Sequence, residues 1–262
     1  MPTITIDQEK CSADGLCMAE CPFLLLTPRE DGVPQLVKGA ENMCVNCGHC
    51  MAVCPAGAIS VGGADSADFP RTDAGLAVTI PQAMQLFRGR RSVRVFRKDP
   101  VSRADIEKLI DMTRWAPTAR NLQPVHWMVA EQPHVNRLAE LVIEWMRRNG
   151  TLPEIVEAFE NGRDMIHRNA PCLLIAHAHE ASLSPQVDCA IALASVEVAC
   201  QPMGLGACWA GLFMRAAKFY QPINEYLKLP EGHHVYGALM LGTPAHRLRR
   251  IPPRAAASVT WR

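Results

Sequence analysis

Seven of the eleven cysteines in the chain are crowded between Cys11 and Cys54, in two runs of regular spacing. The second run is Cys44, Cys47, Cys50 and Cys54, with two, two and three residues between its cysteines and a proline directly after. Three thiolates at this spacing lie on one tight loop, where each can bind a different iron of a cubane, and the fourth begins a helix and points away. A tetrahedral zinc ion is usually held by two separated pairs. The run therefore indicates iron–sulfur chemistry over zinc binding or plain burial.

The first run repeats the pattern with one change: Cys11, Cys17 and Cys21 keep the spacing, but Asp14 replaces the second cysteine. Over residues 1–61 the two runs resemble the two-cluster bacterial ferredoxins. The resemblance implies crossed ligation. One cluster would be bound by Cys44, Cys47, Cys50 and Cys21, and the other by Cys11, Cys17 and Cys54. The fourth position of the latter stays open, because a carboxylate oxygen is a harder ligand than a thiolate: either Asp14 ligates a [4Fe–4S] cluster, or it is solvated beside a [3Fe–4S] cluster.

The segments after the cysteine runs must position any second site. A small, polar stretch over 62–79 is predicted to be a linker. Helices are predicted to begin after Thr79 and after Ser102, and a long one to run from Asp188 to about Met203. Buried strands are predicted over 125–130, 172–177 and 235–241. The predicted fold class is therefore α+β, with an iron–sulfur domain over 1–61 and a mixed domain over 80–262.

Four segments of the mixed domain have residue types suited to binding a phosphorylated, planar ligand. In the first, Arg90, Arg91, Ser92 and Arg94 could hold a phosphate with guanidinium forks and a hydroxyl, although a charge run is more often a solvated helix end. The second is the polar loop 116–124. The third, 204–211, has glycines that permit close backbone approach, and the fourth is 241–244, followed by Arg249 and Arg250.

In this order and spacing, the four segments resemble the nitroreductase family of FMN proteins over about residues 80–262. The resemblance implies an α+β sandwich that forms an intertwined homodimer, with one FMN in each of two interface sites. It also implies site residues. The phosphate and ribityl chain would be held by Arg90, Arg91, Ser92, Arg94 and Arg250. The edge of the isoalloxazine would be met by Thr118, Asn121 and Gln123, and its ring by the backbone of Trp209, Ala210 and Gly211.

One departure from the family pattern concerns the stretch from Gln123 to Trp127, where Val125 and His126 intervene before the tryptophan. His126 is either a proton donor near the flavin or a packed strand histidine. No catalytic residue is identified. The other four cysteines lack metal-ligand spacing and are predicted to lie in the core; they are Cys172, Cys189, Cys200 and Cys208.

Composition narrows the classes of partner and compartment. The chain has 262 residues, a formal net charge of +1, 48% hydrophobic and 20% charged residues. Such a balance argues against nucleic-acid and membrane-surface partners, which favour a basic face. Neither a secretory signal nor a membrane-spanning run is recognised, so a cytoplasmic protein with metal-binding cysteines is expected.

Together the two resemblances imply an iron–sulfur flavoenzyme. The leading hypothesis is an FMN-dependent oxidoreductase that passes electrons from [4Fe–4S] clusters to FMN and reduces nitroaromatic or similar electron-poor substrates, with reduced ferredoxin or NAD(P)H as the donor. Two alternatives stay open: an electron-transfer partner that relays electrons to another protein, and a redox sensor. The sequence has no GxGxxG motif after a strand, which argues against a Rossmann nicotinamide domain.

Overall fold

The computed structural model describes residues 3–262, which form two compact units. The first unit extends to Ala77 and includes the short segment Arg120–Leu122. The second consists of Val78–Ala119 and Gln123–Arg262. Each unit has its own hydrophobic core, and no helix within residues 3–262 is long and apolar enough to cross a membrane.

The first unit is built from short elements around the two cysteine runs. Its strands are β1 (Ile4–Ile6), β2 (Leu26–Pro28), β3 (Pro34–Leu36) and β4 (Ile59–Val61), and its helices are α1 (Leu16–Glu20), α2 (Ala40–Met43) and α3 (His49–Val53). Strand β1 pairs antiparallel with β4, and β2 with β3. Elements of three to five residues cannot bury much apolar surface, so the small core is shared between aliphatic residues and cysteine sulfurs.

The second unit is a four-stranded antiparallel sheet in the order β5-β6-β8-β7, with helices on both faces. The strands are β5 (His126–Glu131), β6 (Cys172–His179), β7 (Gly206–Trp209) and β8 (His233–Gly242). Strand β6 is buried along almost its whole length, because helices cover it on both sides. The predicted strands over 125–130, 172–177 and 235–241 correspond to β5, β6 and β8.

The helices of the second unit are α4 (Ile80–Gly89), α5 (Arg103–Met112), α6 (His134–Asn149), α7 (Pro153–Glu160), α8 (Pro185–Ala199), α9 (Gly211–Phe219) and α10 (Gln221–Leu227). Two predicted starts are confirmed by their caps. The Thr79 hydroxyl accepts from the Gln82 N–H in a capping box, and the Ser102 hydroxyl accepts from the Asp105 N–H. The predicted α+β sandwich is confirmed, although β7 occupies a segment that the sequence indicated only as a ligand loop.

Candidate functional site

The two cysteine loops of the first unit have the same backbone conformation. Ala13 and Asn46 both have positive φ values, 54° and 52°, and each is followed after one residue by a left-handed glycine, Gly15 or Gly48. A short helix begins directly after each glycine. Because the loops match residue for residue, Asp14 occupies in the first loop the position that Cys47 occupies in the second.

Each loop closes one side of a small cavity, and the fourth cysteine of the opposite run completes it. One cavity is lined by Cys44, Cys47, Cys50 and Cys21. The other is lined by Cys11, Asp14, Cys17 and Cys54. The structure therefore brings together two sets of four side chains, and they are the two sets that crossed ligation requires. All of these cysteines are free thiols.

The environment of the sulfurs is apolar but contains directed backbone donors. The Leu25 N–H donates to Cys21 Sγ at 3.5 Å, and the Ala58 N–H donates to Cys54 Sγ at 3.3 Å. Burial raises the pKa of Cys17, and it raises that of Cys50 to about 11. Thiolates in such a site need a compensating positive charge, which bound iron supplies. These donor sets thus fit an iron–sulfur cluster.

Asp14 already makes two hydrogen bonds inside its loop. Its Oδ2 accepts from the Ser12 hydroxyl at 2.9 Å and its Oδ1 accepts from the Leu16 N–H at 3.1 Å. A carboxylate offers about four acceptor sites, so these bonds orient the group while leaving a lone pair for the cavity that it lines.

In the second unit, Arg90 is committed to an ion pair. Its Nη1 donates to Glu197 Oε1 at 2.8 Å, and Glu197 Oε2 accepts from the Trp209 indole N–H at 3.3 Å. Glu197 is buried and Arg90 half-buried. Because Glu197 neutralises Arg90, this arginine offers less charge to a phosphate than the sequence indicates.

Two other arginines lie near enough to Cys208 to influence its thiol. Burial raises the pKa of its thiol, whereas the positive charges of Arg94 and Arg168 and a hydrogen bond from Ser92 oppose that shift. Arg94, Arg168 and Ser92 therefore belong to the electrostatic surroundings of the same residue. Sequence reasoning missed Arg168, because it lies far from the Arg-rich run and belongs to no recognisable motif.

A cavity of about 590 Å³ lies beside the Arg-rich run and falls within the usual size of a ligand pocket. Arg91 and Arg247 line it together with the start of β7 and the segment after β8. Gln201 also lines it, and its buried Oε1 has no hydrogen-bond partner among residues 3–262. A buried acceptor of this kind needs a donor, and the hydroxyls of a ribityl chain would supply one.

The polar loop 116–124 does not act as one surface. Thr118 and Gln123 line a common cavity of about 190 Å³, and the Thr118 hydroxyl accepts from the Gln123 N–H at 3.0 Å. The Ala119 N–H donates to Oδ1 of buried Asp188, also at 3.0 Å. Asn121 is not among the residues that line this cavity, and it groups with the first unit.

Within the first unit, Nδ2 of Asn121 donates to the carbonyls of Val45 and Asn46, which lie between the predicted cluster ligands Cys44 and Cys47 in sequence.

The glycine-rich segment is explained partly by packing. A Cβ on Gly206 would collide with a methyl group of Val93, so the absence of a side chain at Gly206 makes room for Val93 and not for a ligand. Trp209 ends β7, Ala210 is buried, and Gly211 begins α9 with open space where a Cβ would be.

The remaining predicted positions fall outside these clusters. Arg250 lies in the exposed segment that follows β8, and His126 is exposed at the start of β5. The four cysteines predicted to lie in the core are buried, as expected.

Comparisons with known proteins agree with this division. A model of the nitroreductase family matches residues 87–243, and a model of the 4Fe-4S dicluster domain matches residues 9–59. An Archaeoglobus fulgidus protein, provisionally named NADH dehydrogenase/NAD(P)H nitroreductase, is 26% identical over 166 residues, which are 62% of this chain and 86% of that protein.

Solved structures share the fold of the second unit. A nitroreductase from Bacteroides fragilis, crystallised with FMN, aligns with a TM-score of 0.59 and 20% identity over 69% of this chain and 98% of its own. The FMN-dependent nitroreductase NfnB of Mycobacterium smegmatis, in complex with NADPH, aligns with a TM-score of 0.52 and 21% identity over 66% and 94%. The chain thus belongs to the nitroreductase family, as an FMN-dependent oxidoreductase with a 4Fe-4S dicluster domain at its N-terminal side.

Proposed function

We propose that this protein takes up electrons one at a time through two iron–sulfur clusters and passes them to FMN. The flavin then reduces an electron-poor organic compound such as a nitroaromatic. The observation that carries the proposal is the pair of cavities, each lined by four ligand-type side chains, in a chain of the nitroreductase family. A family member that took electrons only from a nicotinamide would have no need of these cavities.

The cluster ligands follow from the cavity linings. Cys21, Cys44, Cys47 and Cys50 would bind one [4Fe–4S] cluster. Cys11, Cys17, Cys54 and Asp14 would bind the other, with Asp14 held toward its iron by Ser12 and Leu16. The matching backbone of the two loops supports Asp14 as a ligand, because it stands where the other loop has Cys47.

Replacing Asp14 with alanine is expected to convert its cluster to a three-iron form. Iron would fall from about eight to about seven per chain, and the EPR signal of an oxidised three-iron cluster would appear. Asp14→Cys is expected to keep about eight. Ser12→Ala is the matched control, since it removes a hydrogen bond to Asp14 but no ligand. An unchanged iron content and EPR spectrum in Asp14→Ala would show that Asp14 is not a ligand.

The FMN phosphate would be held by Ser92, Arg94 and Arg168, which surround Cys208 electrostatically, whereas Arg90 is neutralised by Glu197. The cavity beside them, with Arg91, Arg247 and the unpaired Gln201 oxygen, suits a polyhydroxylated chain. When bound, FMN accepts electrons singly and delivers them as a pair to the acceptor. The protein groups orient the cofactor and exclude water, and protons would come from solvent.

The electron donor is proposed from what similar proteins are named for or bind. The Archaeoglobus protein is named for NAD(P)H and the Mycobacterium enzyme was crystallised with NADPH. Reduced ferredoxin is the other donor that iron–sulfur clusters would accept. Anaerobic turnover of a small nitroaromatic separates the two routes, with the double variant Cys21→Ala/Cys17→Ala as a cluster-free comparison.

Under the proposal, wild-type protein turns over with reduced ferredoxin and the cluster-free variant does not, although both bind FMN. If the cluster-free variant kept the full ferredoxin-driven rate, the clusters would not feed the flavin. If wild type reduced only a protein acceptor, the chain would be an electron-transfer partner and not a nitroreductase.

We also propose that the second unit forms a homodimer through the apolar side chains around α4. No residue of this helix is buried, and Ile80 and Phe87 are 74% and 66% exposed. Val78, just before it, is 68% exposed. Apolar side chains at this density usually mark an interface.

Phe87→Asp is expected to shift the protein from dimer to monomer in sedimentation velocity. A symmetric dimer would lose two buried phenylalanines, each contributing about 1.5–3 kcal/mol, so the dissociation constant would rise at least about 100-fold. Phe219→Asp, on an equally exposed phenylalanine of α9, is the matched control and is expected to stay dimeric. A Phe87→Asp variant that remained dimeric would place the interface elsewhere.

A further inference from the structure

Three histidines from three neighbouring strands meet at one end of the sheet. His126 at the start of β5 is directly opposite His177 in β6, so their side chains lie on the same face. His233 begins β8, on the other side of β6, where a register shift between Ala176 and His177 interrupts the β6–β8 pairing. The three residues are separated by about fifty positions in sequence, and only the sheet brings them together.

The spacing of the rings fits three imidazoles around one tetrahedral ion. The ring centroids are 4.9 Å apart for His126 and His233, 5.2 Å for His177 and His233, and 5.6 Å for His126 and His177. With metal–nitrogen bonds of about 2.0–2.1 Å, tetrahedral geometry places imidazole centroids roughly 5 Å apart. The Nδ1 atoms of His177 and His233 are already 3.0 Å apart, close to the edge of such a tetrahedron.

Two further histidines nearby have other partners. The Ala181 N–H donates to His179 Nδ1 at 3.1 Å, and a Cβ on Gly232 would collide with the Nε2 edge of the same ring. The absence of a side chain at Gly232 therefore leaves room for the His179 ring. His234 pairs through Nε2 with Glu180 at 3.1 Å. Of the five histidines at this end of the sheet, three are left facing one another.

We propose that His126, His177 and His233 form a binding site for a divalent late first-row metal ion, with Zn²⁺ as the probe and a solvent molecule as the fourth ligand. Imidazole nitrogen suits zinc, copper and nickel. Among residues 3–262 no three His, Cys, Asp or Glu side chains are already placed to hold a metal ion, so binding requires rotation of an imidazole. His126 is free to rotate because it is exposed.

The chemistry of the cluster favours a metal ligand set. Burial, with the nearby His233 and His126, lowers the pKa of His177 to about 4, and burial with neighbouring histidines also lowers that of His233. The uncharged imidazole that burial favours is also the form that binds a metal ion. The site is separate from the proposed flavin cavity, because the ten residues of β8 at about 3.3 Å each put roughly 30 Å between its first residue and Thr243 in that cavity.

The test uses cluster-loaded, flavin-loaded protein expressed without a polyhistidine tag. After incubation with Zn²⁺ and desalting, wild type is expected to retain about one zinc per chain, with iron unchanged. X-ray absorption fine structure at the zinc edge is expected to show nitrogen and oxygen ligands without sulfur. This result distinguishes the histidine site from zinc bound at a cysteine site.

His126→Ala is the decisive variant, because an exposed residue can be removed without disturbing the core. Removing a residue that only hydrogen-bonds to a metal ligand already lowers metal affinity about 10–100-fold. Removing a ligand itself is therefore expected to weaken zinc binding at least tenfold. His134→Ala, outside the cluster, is the control. Retention of no zinc by wild type, a sulfur shell around the zinc, or an unchanged affinity in His126→Ala would each overturn the proposal.

Discussion

Cys21→Ala is expected to remove the cluster that Cys44, Cys47 and Cys50 bind and to leave the other cluster in place. Although Cys21 belongs to the first run in sequence, it lines the cavity of the second loop. Iron would fall from about eight to about four per chain, and electron transfer through the lost cluster would stop.

Double variants make the test independent of spectral assignment. If Cys21 and Cys44 bind the same cluster, Cys21→Ala/Cys44→Ala keeps about four irons, the same as either single variant. Cys21→Ala/Cys17→Ala then keeps none, since it removes a ligand from each cluster. Uncrossed ligation predicts the reverse pair of results. Cys189→Ala, a buried cysteine of α8, is the control and is expected to keep about eight irons.

The second large effect distinguishes Arg94 from Arg90, which lie close together in sequence but are expected to have different roles. Arg94→Ala is expected to weaken FMN binding about 10–100-fold, because one hydrogen bond to a charged group contributes about 1.5–3 kcal/mol. Its thermal unfolding temperature without FMN is expected to stay within about 2 °C of wild type. Fluorescence titration with FMN and thermal unfolding of the apoprotein measure the two effects.

Arg90→Ala is expected to act on stability instead, because it leaves Glu197 buried without its ion-pair partner. Breaking a fully buried pair costs about 3–5 kcal/mol. Because Arg90 is partly exposed, roughly 2–3 kcal/mol is expected, or about 5–10 °C. Glu197→Gln in the Arg90→Ala background should recover part of this loss, and Arg103→Ala, which breaks a surface pair, should lose little. If Arg90→Ala instead lost FMN at unchanged stability, Arg90 would be a phosphate ligand.

Local signals of the sequence predicted the parts of the fold that depend on local physics. The spacing of the cysteines identified the three ligand positions within each loop, because local loop geometry places them together, whereas the crossed fourth ligand was implied by the resemblance to two-cluster ferredoxins. The caps at Thr79 and Ser102 and the apolar run of β6 were recognised for the same reason. Strand β7 was missed because four residues beginning with a glycine carry little strand signal.

Features that depend on distant pairing could not be predicted. Glu197 neutralises Arg90 from 107 residues away, which divides an arginine run that looks uniform in sequence. Arg168, which influences Cys208 together with Arg94, lies in a loop with no motif. His126, His177 and His233 gave weak separate signals, because only the register of three strands brings them together.

The most direct test of the account is the iron, acid-labile sulfide and FMN content of protein purified without oxygen. Two cubane clusters and one flavin predict about eight irons, about eight sulfides and one FMN per chain. Zinc in place of iron, or a chain that binds no flavin at any concentration tested, would contradict the account.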